Sequence, residues 1–181
     1  MIKLAATVAI VEAGKVLLAK REDFEVWCLP GGMVDLGESL AETAVREARE
    51  ETGLIVNLTR LVGIYSEIGS WNDVHLALFA AKAVGGKLVP QQEEVLDLRY
   101  FAPNALPDYM FWWHRQQVAD VFADVGGSVA WRQDIQSPKG PMSRAELYAL
   151  RDESGMSRQD FYRWYYEKQG SGKQTRMVNN G

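Results

Sequence analysis

Cysteine is almost absent from this sequence: Cys28 is the only one in 181 residues. An intramolecular disulfide is thereby excluded, and a single thiol fits a reducing compartment. Long apolar runs are missing as well, and no stretch reaches the roughly 20 residues of a membrane-spanning helix. The opening Met1-Ile2-Lys3-Leu4 leads into a strand-like segment, not the apolar core of a signal peptide, so a cytoplasmic location is expected. Strong charge of one sign is lacking too: the net charge is −4, and the whole chain is no obvious nucleic-acid binder. No Ser/His/Asp or Cys/His arrangement suggests a covalent intermediate. What remains is 47% apolar and 24% charged, the composition of a globular protein with enough chain to bury a core. One domain with an appendage is the natural expectation.

The informative stretch is 32–54. Its frame is Gly32, five residues, Glu38, seven residues, then Arg46-Glu47-Ala48-Arg49-Glu50-Glu51-Thr52-Gly53-Leu54. Ser39 followed three residues later by Glu42 is a capping box that opens a helix. Gly53 supplies the left-handed residue that closes it. At about 100° per residue, Glu47, Glu50 and Glu51 share an arc of roughly 100°. Ala41, Val45, Ala48 and Thr52 form the neighbouring arc, suited to packing on a sheet, and Glu42, Arg46 and Arg49 take the remaining side. Like charges three and four residues apart cost a helix a few tenths of a kcal/mol per pair. A hard divalent cation bound by carboxylate oxygens would offset that repulsion. A bare E-x-x-E-E is usually a solvated face. The full frame fixes seven positions, and at ordinary residue frequencies chance gives it in on the order of one in a million chains of this size.

Those residues closely resemble the signature box of the Nudix hydrolases, and Trp27-Cys28-Leu29-Pro30-Gly31-Gly32 is similar to the family's approach to it. The resemblance implies an α/β fold: an α/β/α sandwich on a mixed β-sheet. It implies a hydrolase of the MutT-like kind, cleaving the diphosphate linkage of a nucleoside diphosphate derivative such as an NTP, ADP-ribose or a nucleotide sugar. Mg2+ or Mn2+ is the implied cofactor, held by Glu47, Glu50 and Glu51 with a backbone carbonyl of Gly31 or Gly32. Glu47 or Glu50 is the expected base, with Glu93 and Glu94 in reserve, and Arg46 orients a box carboxylate. The alternative is a nucleotide-sensing regulatory domain whose extension binds a partner. The proline that many ADP-ribose hydrolases of the family carry about 16 residues past the box is missing here, where Ser70 stands.

Around the box the chain alternates strand and turn patterns. Leu4–Val11 and Val16–Ala19 read as strands joined by a turn at 12–15. Lys20 and Arg21 follow, where a cationic head could meet substrate phosphates. Trp27 is either a stacking surface for a base or a core side chain. Cys28 reads as a small buried residue. Glycine at 31 and 32 lets the backbone approach a ligand closely. Ile55–Leu58, Leu61–Tyr65, Val74–Ala83 and Val95–Phe101 read as strands, with a loop at 66–73 carrying Trp71 and a hairpin turn at Val84–Lys87. His75 is structural on this reading. Glu94, on the loop before the last of these strands, is a candidate for substrate or metal binding. A second helix is expected over Asp108–Ala123, with His114 on its surface.

The tail differs in charge. Residues 1–125 carry 11 basic and 18 acidic side chains, net −7, against 9 and 6, net +3, for residues 126–181. The chain therefore reads as a catalytic domain, 1–125, and an extension, 126–181. Met142-Ser143-Arg144-Ala145-Glu146-Leu147-Tyr148 returns as Met156-Ser157-Arg158-Gln159-Asp160-Phe161-Tyr162. Each copy opens a helix with a serine cap, which makes a hairpin with an aromatic second arm and a disordered end after Gly170. Too short to bury its own apolar face, the hairpin must pack on the catalytic domain or on a second subunit, a homodimer contact. The expected partner otherwise is a small nucleotide, with no membrane and no nucleic acid.

Overall fold

A computed structural model describes residues 2–69, 73–91, 93–127, 129–140 and 142–178. Its centre is β1 (Lys3–Glu12), whose alternating side chains feed two different cores. Ala5 and Ala9 face one, while Ala6, Val8 and Ile10 face the other. A strand buried on both faces reads as a continuous apolar run, as this one does. β1 pairs in parallel with β6 (Val74–Gly86), over eight registered pairs from Lys3–Val74 to Ile10–Ala81. β6 pairs antiparallel with β5 (Leu54–Ile68), and β5 lies parallel to β8 (Val129–Gln136).

On its other edge β1 is shared. Its last residues meet β2 (Lys15–Arg21) at Val11–Val16 and Glu12–Lys15, through the turn at Ala13 and Gly14, both at positive φ. Its earlier residues, Ala5 to Thr7, pair with β4 (Gly31–Met33). β2 diverges to pair with β3 (Trp27–Cys28) and β7 (Val95–Phe101). The sheet therefore opens at β1, and β4 leaves that opening directly into α1 (Leu40–Thr52).

α1 packs on one face of the sheet through Ala44 and Ala48, against Ala6, Val8, Ile10, Leu54 and Val56. α2 (Trp112–Phe122) covers the other face, where Val118 and Val121 meet Ala9, Val62, Tyr65 and Leu76. This is the expected two-helix sandwich on a mixed sheet. Beyond it come α3 (Arg144–Glu153) and α4 (Arg158–Tyr162), the latter running on as a π-helical segment, Arg163–Gln169. The serine caps of both repeats are in place: Ser143 accepts from the Glu146 N–H and Ser157 from the Asp160 N–H.

Several expectations change in the structure. The two strands read at 55–58 and 61–65 are one strand, because β5 absorbs its irregular pattern in bulges near Val56, Thr59 and Val62 instead of turning. Val84–Lys87 is no hairpin turn: β6 continues to Gly86, which lies against Leu54. α2 begins at Trp112, after Phe111, and His114 is buried, not on the surface. The tail is not purely helical, nor disordered directly after Gly170. β8 joins the main sheet, and β9 (Ser171–Arg176) pairs antiparallel with it from Trp131–Arg176 to Gln136–Ser171. Polar Ser171, Gly172 and Lys173 mask the strand, because its edge position needs backbone pairing and no apolar alternation. The extension packs on its own chain: Phe24, Phe111 and Trp113 share a third core with Leu147, Phe161, Tyr162, Tyr165 and Tyr166. Trp71 of the expected loop lies outside the described residues.

Candidate active site

The site forms where β4 runs into α1. The capping box holds as expected: the Glu42 N–H donates to Ser39 Oγ at 3.3 Å, and Ser39 N–H to Glu42 Oε2 at 2.8 Å. Gly53 ends the helix at φ 73°. The buried face is centred slightly differently from the expected arc. Thr43, Ala44, Ala48, Glu51 and Thr52 are buried, while Val45 is exposed. That rotation grades the three carboxylates. Glu51 is turned toward the sheet and is 8% exposed. The Glu47 side chain is 13% exposed and that of Glu50 51%.

Glu51 reaches the glycine loop, where the Gly31 N–H donates to its Oε2 at 3.1 Å. Burial pushes the Glu51 carboxyl up to about 8; nearby Arg21 opposes the shift, and Glu47 and Glu94 add to it. Burial also raises Glu47, against the pull of Arg46 and with Glu50 and Glu94 adding to the rise. Glu94, far away in sequence, is thus brought to the box carboxylates; its neighbour Glu93 is exposed on the same turn. Among the described residues no three carboxylates converge closely enough to ligate an ion. Arg46 engages two of the three box carboxylates. Its Nη1 donates to Glu47 at 2.7 Å and to Glu50 at 2.9 Å. Its Nε and Nη2 grip Glu38 at 2.7 and 3.0 Å, and Nη2 also reaches the Met33 carbonyl. Those bonds from Arg46 hold Glu38 at a pKa of about 2. Glu38 is therefore the anchor of Arg46, and Arg46 the orienting partner of Glu47 and Glu50.

The donor chemistry fits a hard cation: carboxylate oxygens, with the loop backbone alongside and no sulfur or imidazole. The glycines leave the room this needs. A Cβ on Gly32 would stand 2.3 Å from Glu47 Oε1, and one on Gly31 would strike the β1 backbone at Ala6 O, 2.4 Å away.

The remaining residues singled out in the sequence separate clearly. Arg21 lies at the end of β2, close enough to Glu51 and Glu67 to oppose the rise that burial imposes on both carboxyls. Its Nε and Nη2 donate to Asp23 at 3.0 and 2.5 Å. Lys20 instead pairs with Glu25 at 3.5 Å. Trp27 is a core side chain: it is 8% exposed, set edge-on to Phe101 and covered by Arg99, so it offers no open stacking face. Cys28 is buried with its Sγ on the Ala19 carbonyl, and burial pushes its thiol pKa well up, as an inert thiol requires. His75 bonds Ser66, a structural contact.

A polar group near the site escaped the sequence reading. The Leu29 N–H donates to His114 Nδ1 at 3.1 Å, which places the ring proton on Nε2, 3.9 Å from Glu67 Oε1. Burial drives His114 down to about 3 and Glu67 up to about 7. Gln117, fully buried, lies beside Glu67, yet neither its amide atoms nor Glu67 Oε1 completes a hydrogen bond of proper geometry. Only the oddity of polar residues on the apolar period of α2 could have flagged this group.

Comparison with known proteins bears on the same region. The family model of the NUDIX domain matches residues 1–121, ending before β8. A putative 8-oxo-dGTP diphosphatase of Bacillus subtilis (strain 168) is 36% identical over 116 residues, 64% of this chain and 76% of that protein. An ADP-ribose pyrophosphatase of Methanocaldococcus jannaschii is 35% identical over 107 residues, 56% of this chain and 63% of that protein. The crystal structure of a MutT NUDIX hydrolase from Burkholderia pseudomallei matches with a TM-score of 0.62 at 26% identity, covering 67% of this chain and 98% of that one.

Proposed function

The chain belongs to the NUDIX family, and on that premise we propose that it hydrolyses the diphosphate linkage of a nucleoside diphosphate derivative, using a divalent metal ion such as Mg2+. The observation that carries this reading is the graded carboxylate trio of α1 set against the Gly31–Gly32 loop, with Arg46 orienting two of its members. Relatives named for 8-oxo-dGTP and ADP-ribose support the substrate class, and both of those compounds contain a diphosphate linkage.

Glu47, Glu50 and Glu51 would hold the metal, with the Gly31 carbonyl and Glu94 beside them. When bound, the ion supplies charge neutralisation on the diphosphate oxygens and acidifies a water. The chain's own residues do the rest. Glu51, buried against the loop, fixes the inner end of the site. Arg46 keeps Glu47 and Glu50 in one orientation. Whichever of Glu50 and Glu47 is not committed to the ion takes the proton of the attacking water. The water oxygen bonds to phosphorus as the bond to the bridging oxygen breaks, giving two phosphate monoesters, or a monoester and inorganic phosphate or pyrophosphate. Arg21 meets the anionic end of the substrate, a role supported by its reach to Glu51.

A panel of dGTP, 8-oxo-dGTP, ADP-ribose, UDP-glucose and NAD, each with Mg2+, tests the reading. Turnover of at least one is expected, falling by at least about 100-fold in Glu51→Gln, on the order of 3 kcal/mol of transition-state stabilisation. Full activity in that variant, or no turnover of any panel member, overturns it.

A further inference from the structure

Residues 22–25 of the loop between β2 and β3 are each held by the C-terminal extension. The Glu22 carbonyl and carboxylate both accept from Arg158. The Asp23 carboxylate accepts from Tyr148 Oη at 3.0 Å, and the Asp23 carbonyl from Arg151 Nη1 at 2.5 Å. Arg144 stands 3.7 Å from the same carboxylate. Phe24 is fully buried, stacked on Phe161 and set edge-on to Tyr148 and Tyr166. The Glu25 carbonyl accepts from Gln159 at 2.8 Å, at a residue with φ 54° that few side chains adopt unaided. Arg151 is itself fixed by Asp152 at 2.7 Å and lies over the Tyr148 ring at 4.6 Å.

Through Asp23 this grip touches Arg21. The Asp23 carboxylate takes Nε and Nη2 of Arg21 in a two-point pair, the hydroxyl of Tyr148 and the Phe24 N–H. A fork-on-carboxylate pair fixes the plane of the guanidinium as well as its position. The same guanidinium lies near enough to Glu51 to act on its carboxylate. We propose that the C-terminal helices act as a positioning element for the substrate's anionic end, through the relay Tyr148–Asp23–Arg21. The fold needs no such device to bury Phe24, since the aromatic contacts alone do that. The polar contacts set the angle of one side chain about 125 residues earlier in the chain. Tyr148 and Asp23 are therefore positioning residues, and the proposal rests on Arg21 being the substrate ligand as read above.

The test is steady-state kinetics on the full chain with Mg2+, using whichever of dGTP, 8-oxo-dGTP, ADP-ribose, UDP-glucose or NAD turns over fastest. Tyr148→Phe keeps the ring and removes one hydrogen bond to a charged group. Expected is a KM raised about three- to tenfold with kcat within about twofold, and a thermal midpoint within a few degrees of the parent. In an Arg21→Ala background the same substitution changes KM no further. Arg144→Gln, at a largely exposed position, gives a smaller KM rise that also vanishes with Arg21→Ala, and it serves if Tyr148→Phe folds poorly. A Tyr148→Phe KM equal to the parent's overturns the relay. So does a KM effect of the same factor with Arg21 removed, which would show that the extension acts elsewhere. If Arg21→Ala alone leaves KM unchanged, Arg21 is not the ligand, and the error lies in the reading beneath the relay.

Discussion

Replacing Gly32 by alanine separates the site from the fold that carries it. The added Cβ would stand 2.3 Å from Glu47 Oε1 and 2.6 Å from its Cδ, where ordinary contact begins at 3.4 Å. The carboxylate must therefore retreat by about 1 Å, giving up the 2.7 Å bond from Arg46. Because the clash is with the free end of a flexible side chain, the cost to stability is under about 1 kcal/mol, or a few degrees in thermal midpoint. A catalytic group displaced by 1 Å costs on the order of 100-fold in rate. Gly31→Ala is the control. Its Cβ would meet the β1 backbone, Ala6 O at 2.4 Å and Thr7 Cα at 2.7 Å, at φ 155°. Here nothing flexible can yield, and a loss of at least about 2 kcal/mol is expected from overpacking and strain. Thermal denaturation and kcat/KM, measured side by side, give the comparison. Gly32→Ala with unchanged kcat/KM, or with a midpoint as low as that of Gly31→Ala, would refute the reasoning.

Other outcomes follow from the same geometry. Glu51 has a folded-state pKa of about 8, raised from 4.5. Its contribution to the stability of the metal-free protein is full below pH 4.5 and is lost as pH rises through about 8, at up to about 1.4 kcal/mol per pH unit. Denaturation in a chelator should show that decline, and Glu51→Gln should flatten it. His114→Leu leaves the buried Leu29 N–H without its acceptor and should cost about 1–3 kcal/mol, read as a lower thermal midpoint. Cys28, buried with its thiol pKa raised, should resist a thiol-labelling reagent in the native state and react fully in denaturant.

The box was legible because its physics is local. A capping serine, a glycine stop and the 100° period place Glu47, Glu50 and Glu51 without reference to the rest of the chain. The period left the buried face uncertain by about one residue, and only packing on β1 and β5 settled that Glu51 turns inward and Val45 outward. His114 and Glu67 lie 47 residues apart, and nothing local reveals that β5 and α2 bring them together. Trp27 could be read either way until Phe101 and Arg99 were seen to cover it. β9 escaped because an edge strand made of Ser, Gly, Lys, Gln, Thr and Arg carries no period-two pattern. The repeated serine caps predicted α3 and α4, but not their docking, which depends on Phe24 and Asp23 over a hundred residues earlier.

The most direct test is a titration of Mn2+ against the metal-free protein, with free ion followed by electron paramagnetic resonance, repeated on Glu47→Gln and Glu51→Gln. One ion held by the α1 carboxylates predicts saturable binding to the parent and a loss of at least about tenfold in affinity, about 1.4 kcal/mol, in each variant. Equal affinity in all three proteins would contradict the account at its root.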